Sequence, residues 1–437
     1  MIGIFLGLAL LVYLSYKGYS IIWVAPLSAL VVAIIGFNFD FSVILDAYIV
    51  DYMNSLGGFT QTWFPLFLLG AIFGKLMDTT DSAKSVAKLL TKITGTKRAV
   101  LSVVISCAVL TYGGVSLFVV VFAIYPLAIS LFREANISRK LIPGAIALGA
   151  FTFTMTALPG SPQLNNIIAG KYFSTTPYAA PILGIVGSVV MFGLGYTYLL
   201  YKQKKLEKQG EVFIELKEKI EEKTGDLPNP FVALFPLFIV IGSLYIFSKS
   251  GMTIIPASIL SLVCGNMTVL VLNFKKYKNF IPALNEGSNG AVIAILNTAA
   301  AVGFGGVVKL VPGFQQLTDI LLNLKGSPLI SEATAITLLA GATGSSSGGM
   351  GIALEALGSQ YVQIAELNNI NIEVFHRVAT IASGGLDSLP HCGAVITLLA
   401  VTGMTHKDSY NDIGMVTCVI PIISLIVVIA LGAMGVV

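Results

Sequence analysis

Apolar runs long enough to cross a bilayer recur along this chain, and no other feature restricts its fold as much. A spanning helix takes ~20 residues. By that measure ordinary spans fall near 2–16, 21–37, 58–75, 180–200, 230–248, 252–274, 288–311 and 412–435. Backbone polar groups in lipid must be paired within the segment, so such runs fold as helices. Composition agrees: 11% of residues are charged, against roughly 25% in a soluble domain. A soluble enzyme, a disordered chain and collagen are all excluded. The net charge of +4 resides in loop lysines, whose placement follows membrane orientation, and it does not point to nucleic acid. The four cysteines lie inside apolar stretches and read as small core residues. The opening MIGIFLGLALLVYLSYK is apolar from its first residue and basic only at its end, which fits a spanning helix better than a secretory signal.

Four segments do not fit a simple span. Residues 100–132 and 333–365 are each 33 long, too long for one crossing and too short for two, with glycines near the centre: TYGGVS at 111–116 and GATGSSSGGMG at 341–351. A helix, a glycine-permitted turn and a returning helix satisfy both features, so both are predicted to be re-entrant hairpins. Residues 141–170 and 377–405 are interrupted midway by TALPGSPQLNN (156–166) and SGGLDSLPHCG (383–393). Proline removes a donor and crowds the preceding turn, so these are predicted to be discontinuous helices, whose unpaired backbone must line a cavity.

Cytoplasmic loops collect Lys and Arg. Of the 26 basic residues, 21 can be placed inside together: Lys17, the 75–98 loop, Arg133 to Lys140, seven lysines between 202 and 223, Lys275 to Lys278, and Lys407. The topology then closes with both termini outside. The first hairpin enters from the cytoplasm. The second, flanked by Glu332 and Glu366, enters from outside. The fold class is an all-α polytopic membrane protein with an inverted-topology repeat, each half having five transmembrane helices, one of them broken, plus one re-entrant hairpin. The first repeat is 1–200, the charged linker 201–227 and the second repeat 228–437; the linker's EVFIELKEKIEEK reads as solvated connector or amphipathic surface helix. Secondary transporters of this architecture hold substrate near the midplane, where broken helices of the two halves meet.

The breaks expose half-helix N-termini suited to an anion. Around the first lie Thr154, Thr156, Ser161, Gln163, Asn165 and Asn166, dense in hydrogen-bonding groups for a membrane interior; their bland reading is helix capping. The second break holds Asp387, Ser388 and His391. Asp387 and His391 are the ionisable groups at midspan and can carry a proton, or else Asp387 caps a half-helix and His391 bonds a carbonyl. The hairpin tips offer Gly113, Gly114 and Ser116, and Ser345, Ser346, Ser347, Gly348 and Gly349, for close backbone approach and hydroxyl donation or for tight packing. Arg377 is placed near the outer face, steering anions or anchoring the interface. Lys309, His376 and His406 read as interfacial, Glu355 as a reserve proton or cation ligand, and Gly303, Gly305 and Gly306 as packing residues. No metal or cofactor is expected.

The first hairpin LTYGGVSLFVVVFAIYPLA, the break TALPGSPQLNN and the motifs GATGSSSGGMGIALEAL and SGGLDSLPHCGAVITLL make the chain resemble the gluconate permease family (GntP), within the ion transporter superfamily, over essentially its whole length. Among members it is most similar to the short hydroxy-acid, 3-hydroxybutyrate-type permeases. The resemblance implies proton-coupled uptake of a small hydroxycarboxylate across a bacterial cytoplasmic membrane, by a homodimer working as an elevator. It places the site on Gly113, Gly114, Ser116, Pro159, Gly160, Ser161, Asn165, Ser346, Gly348, Asp387 and His391. Related citrate and dicarboxylate carriers use sodium and Ser-Asn-Thr tips, which neither tip here carries. The sequence therefore points to a proton symporter for a small hydroxy-monocarboxylate, with sodium-coupled carboxylate symport as the alternative. An intramembrane hydrolase built on Asp387, His391 and Ser388 or Ser347 is a remote one, since catalysis leaves the duplicated layout unexplained.

Overall fold

A computed structural model describes residues 1–17, 19–95, 98–214, 227–314, 316, 327–390 and 392–437. Its regular structure is helical, with no strand among the described residues. Six described helices are long and apolar enough to cross a membrane: Phe41–Thr79, Pro181–Lys208, Pro230–Lys249, Ile254–Leu272, Phe280–Leu310 and His406–Ala433. The chain is a polytopic all-α membrane protein. Where it turns, a polar side chain closes the new helix: Ser20, Asp40, Asn229, Ser327 and Asn371 each accept a backbone N–H from the first turn.

The centre is a pair of long helices, Phe41–Thr79 against Phe280–Leu310. Small residues let them approach closely: a Cβ on Gly303 would sit 2.8 Å from the Tyr52 ring, one on Gly306 would strike Ser55, and Tyr52 donates to the Ala300 carbonyl at 3.1 Å. Ile2–Tyr16 with Ile21–Gly36, and Pro230–Lys249 with Ile254–Leu272, form two flanking antiparallel pairs. The third span begins at Phe41 rather than near 58. Asp40 caps its start, and a π-helical turn at Ala47–Asp51 carries the helix on between Asp46 and Asp51, where the charge interrupts a hydropathy window. The 75–98 loop likewise contains the helix Ser82–Thr94, whose apolar face buries Ala83, Val86 and Ala87.

Both expected hairpins are helix-turn-helix units. The first has arms Ala99–Tyr112 and Leu117–Glu134 around a four-residue turn, and the second has arms Pro328–Thr343 and Ser346–Leu367. The second turn is tighter than expected, because Ser346 to Gly349 already belong to the second arm. Glu332, expected as an exposed flank, is fully buried inside the first arm. Both discontinuous helices are also present, as Ile142–Ala150, Phe153–Thr156 and Leu164–Phe173, and as Ile372–Ser383 and Gly393–Thr402. The helix Pro181–Lys208 continues past 200 into the charged linker, and EVFIELKEKIEEK (211–223) lies outside the described residues from 215 onward.

Candidate functional site at the helix breaks

Residues 157–163 form the first break, with Gly160 at φ +79°. A Cβ there would lie 2.5 Å from the Tyr178 ring, so this turn requires glycine on both conformational and steric grounds. Its N–H donates to the Pro177 carbonyl at 2.8 Å. The neighbouring Pro159 carbonyl accepts the Tyr112 hydroxyl at 2.9 Å, and Gln163 Nε2 donates to the Thr111 carbonyl. The end of the first hairpin arm is thereby fastened to the break.

Asn166 opens the half-helix after the break and is buried. Its amide nitrogen donates to the Ser161 and Pro177 carbonyls, both at 2.9 Å. Both amide hydrogens being committed, Oδ1 is the acceptor. His376 donates to it from Nε2 at 2.8 Å, and its Nδ1 shares a hydrogen bond with the Thr175 hydroxyl, 2.6 Å away. Arg377 donates to the same Oδ1 at 3.4 Å and, through Nε and Nη2, to the Ala179 carbonyl at 3.2 and 2.6 Å. Glu373 accepts the Ala180 N–H at 2.8 Å. One face of Ile372–Ser383 thus straps down the 174–180 loop, whose Ser174 and Ala180 have left-handed backbone.

The two breaks touch. Asn165 Nδ2 donates to the Ser383 hydroxyl at 3.1 Å, and a Cβ on Gly384 would lie 2.9 Å from the Thr156 methyl. Beyond Gly384 the chain runs to Asp387, nearly fully buried, whose carboxyl accepts the Ser388 hydroxyl at 2.9 Å. Thr337 of the second hairpin donates to the Ala382 carbonyl at 3.0 Å. The second break and the second hairpin therefore form one polar seam with the first break. Thr156, Ser161, Asn165, Asn166, Asp387 and Ser388 are all buried, so this seam is closed in the present conformation.

Other sequence-predicted residues have different surroundings. The first tip is walled by apolar side chains: Gly113 lies against Leu237, and Gly114, at φ +95°, lies beside Pro162, Val240 and Leu262. Ser116 precedes the second arm without a side-chain capping bond. Ser345 spends its hydroxyl on the Gly348 N–H at 3.1 Å, and Gly349 is pressed against the Ala340 backbone, so these residues close the hairpin. Ser347 is partly exposed. The hydroxyls of Thr154 and Thr156 return to carbonyls of their own segment. His391 lies outside the described residues.

Two expectations are corrected. His376 and Arg377 are not interfacial but fully buried, because the amphipathic helix Ile372–Ser383 turns its polar face inward onto the Asn166 loop. The signal was available: a His-Arg pair in an apolar segment immediately before a break has few polar partners except the other break. Lys309 and Glu355 pair at 3.4 Å and are partly exposed, Tyr172 donating to the same carboxylate at 2.8 Å. His406 bonds the Pro390 carbonyl at 2.9 Å.

An uncharacterized transporter of Bacillus subtilis, YxjC, is 42% identical over 96% of this chain and 96% of its own. An uncharacterized transporter of Haemophilus influenzae is 25% identical over 76% of each chain. Among solved structures, the YdaH transporter of Alcanivorax borkumensis superposes with a TM-score of 0.50 at 14% identity, over 88% of this chain and 87% of that one, a likeness of fold alone. No family model matches the chain. Fold, membrane helices and relatives together define a multi-pass membrane transporter for a small molecule. Within that class, the chain belongs to the same transporter family as YxjC.

Proposed function

We propose that this transporter imports a small hydroxy-monocarboxylate, such as 3-hydroxybutyrate or gluconate, together with protons across the bacterial cytoplasmic membrane. Its two halves are taken as inverted repeats, 1–200 and 228–437, with the termini outside. The observation that carries the reading is the convergence of both breaks and the second hairpin on one buried seam: Asn165 on Ser383, Thr156 against Gly384, and Thr337 on Ala382. Half-helices starting at Leu164 and Gly393 direct their free N–H groups toward the breaks, which suits a carboxylate. Hydroxyls and amides of the seam suit the substrate's own hydroxyl, and Asp387 supplies the protonatable carboxyl. This agrees with the resemblance to the gluconate permease family, from which the homodimer is also taken.

An elevator motion is supported by the boundary between the hairpins and the central helix pair. Gly74 faces Val119 and Ser116, Gly305 faces Ile352, and Gly351 faces Val302 and Phe59. At each of these contacts one partner carries no side chain, so fewer groups project across the boundary there to oppose one body sliding over the other.

The test is uptake of labelled 3-hydroxybutyrate and gluconate into proteoliposomes. One coupled proton gives up to about tenfold accumulation per pH unit, and a protonophore abolishes it. Sodium coupling is the second reading, favoured by the adjacent oxygens of Asp387 and Ser388, since carboxylate and hydroxyl oxygens suit a hard cation. Uptake that follows a sodium gradient and ignores pH selects it and overturns proton symport.

A further inference from the structure

We infer that Glu332 is a second proton-binding site, separate from Asp387, which holds its proton in this conformation and gives it up when the second hairpin moves. Glu332 continues the buried stripe Leu329, Glu332, Ile336 and Ala340 of the arm Pro328–Thr343. It is fully buried, and among the described residues neither carboxyl oxygen has a hydrogen-bond partner. The described groups around it offer no counter-charge. From the arm Ser346–Leu367 the interacting titratable group is Tyr361, fully buried itself, whose hydroxyl lies 3.3 Å from that of Ser331. The charged residues of Ile372–Ser383 are engaged elsewhere: Glu373 with Ala180, and His376 and Arg377 with the Asn166 and Ala179 loop. Two further described helices that pack on the arm, Ile2–Tyr16 and Ile420–Ala433, contain no Asp, Glu, His, Lys or Arg.

An ionised carboxylate in such a place would bear the desolvation cost of a buried charge, several kcal/mol, with no cation or donor to offset it. The carboxyl is therefore neutral here. It can ionise only on meeting water, which requires Pro328–Thr343 to part from Ser346–Leu367 or Ile372–Ser383. That motion belongs to the hairpin of the proposed transport cycle, so the coupling role rests on the proton-symport reading. The neutral state of the side chain does not. If Asp387 carries one proton and Glu332 another, a monocarboxylate enters with a net charge of +1, and membrane potential as well as pH drives its accumulation.

Glu332→Gln keeps the shape of the neutral acid and is expected to fold. Two measurements decide. Infrared spectra of the purified protein in water and heavy water are expected to contain a protonated-carboxyl stretching band in the wild type and in Asp387→Asn that is missing from Glu332→Gln. In proteoliposomes given labelled 3-hydroxybutyrate, an inside-negative potential of about 100 mV is worth about 2.3 kcal/mol per charge, or roughly 50-fold in accumulation. The wild type should approach that factor, whereas Glu332→Gln should lose it and still respond to pH. Identical infrared bands in wild type and Glu332→Gln, or a variant that still responds to potential, overturns the assignment. If wild-type uptake follows neither pH nor potential, the transport reading fails, and the infrared difference by itself then decides whether Glu332 holds a proton.

Discussion

Asn165 and Asn166 are adjacent, both buried and both in the first turn of the same half-helix, yet their replacement by alanine is expected to differ several-fold in cost. Asn166→Ala removes four contacts, and what matters is which partners keep another bond. The Pro177 carbonyl retains the Gly160 N–H, and Arg377 retains the Ala179 carbonyl. The Ser161 carbonyl and His376 Nε2 retain nothing. Two buried groups left bare at about 1–3 kcal/mol each, tempered by the smaller values measured between membrane helices, give a loss of about 2–4 kcal/mol. Asn165→Ala removes one bond, to a Ser383 hydroxyl that still donates to the Thr380 carbonyl at 2.7 Å. Nothing is orphaned, and the loss should be about 0.6 kcal/mol, the average for such bonds. Unfolding of the purified protein in mild detergent, titrated with a denaturing one, measures both. Equal losses, or a larger one at Asn165, would refute the partner accounting on which the site description rests.

Three further outcomes follow from the geometry. Asp387→Asn should preserve counterflow of labelled substrate across proteoliposomes and abolish pH-driven accumulation; unchanged accumulation dismisses Asp387 as a coupling residue. Gly349→Ala places a methyl into the Ala340 backbone and should lose at least the 1–3 kcal/mol typical of overpacking, whereas Gly57→Ala, with nothing within 4 Å of the new methyl, should be neutral or up to about 1 kcal/mol stabilising; thermal stability of the two variants compares them directly. Asp81, in the turn before Ser82–Thr94, is a pH test. Burial raises its carboxyl, but hydrogen bonds and charge from Lys84 and Lys276 prevail and hold it below the usual carboxylate value. A carboxyl lowered by folding contributes stability above its unfolded value, about 3.9, and that contribution fades as pH falls through the folded value. Asp81→Asn should therefore be less stable than wild type at pH 7 and equal to it in strong acid; the turn is partly exposed, so the effect is small.

Six of the eight expected spans, the two helix-turn-helix units and the two breaks were legible because lipid requires every backbone amide to be paired, so clustered glycine and proline in an over-long apolar run point to a turn or an interruption, whereas isolated ones such as Pro65 and Pro236 stay inside a helix. Boundaries were less legible where charge sits on a helix that continues. Asp46 and Asp51 end a hydropathy window but not the helix, which a π-helical turn carries past them. At the second hairpin tip the sequence left ligand contact and tight packing both open. Ser345 is a helix cap and Gly349 a packing contact, and the distinction rests on which backbone lies opposite. Arg377 and Glu332 were misplaced for one reason: a charged residue near the end of an apolar run reads as interfacial unless the partner helix is known.

That shared error says where long-range chemistry enters a fold of this kind. Arg377 is tolerated in the interior because the 174–180 loop presents the Ala179 carbonyl to it, and that loop is in turn held in left-handed backbone by Arg377 and Glu373. Each element makes the other affordable, yet they lie about half the chain apart in sequence. Among the described residues Glu332 has no such partner, and it disposes of its charge in the other way open to a carboxyl, by binding a proton. One buried charge has thus been absorbed by structure, and the other has become chemistry. In a chain whose apolar helices could be packed without either residue, the unpartnered one is the stronger pointer to function, because nothing in the static fold compensates for its presence.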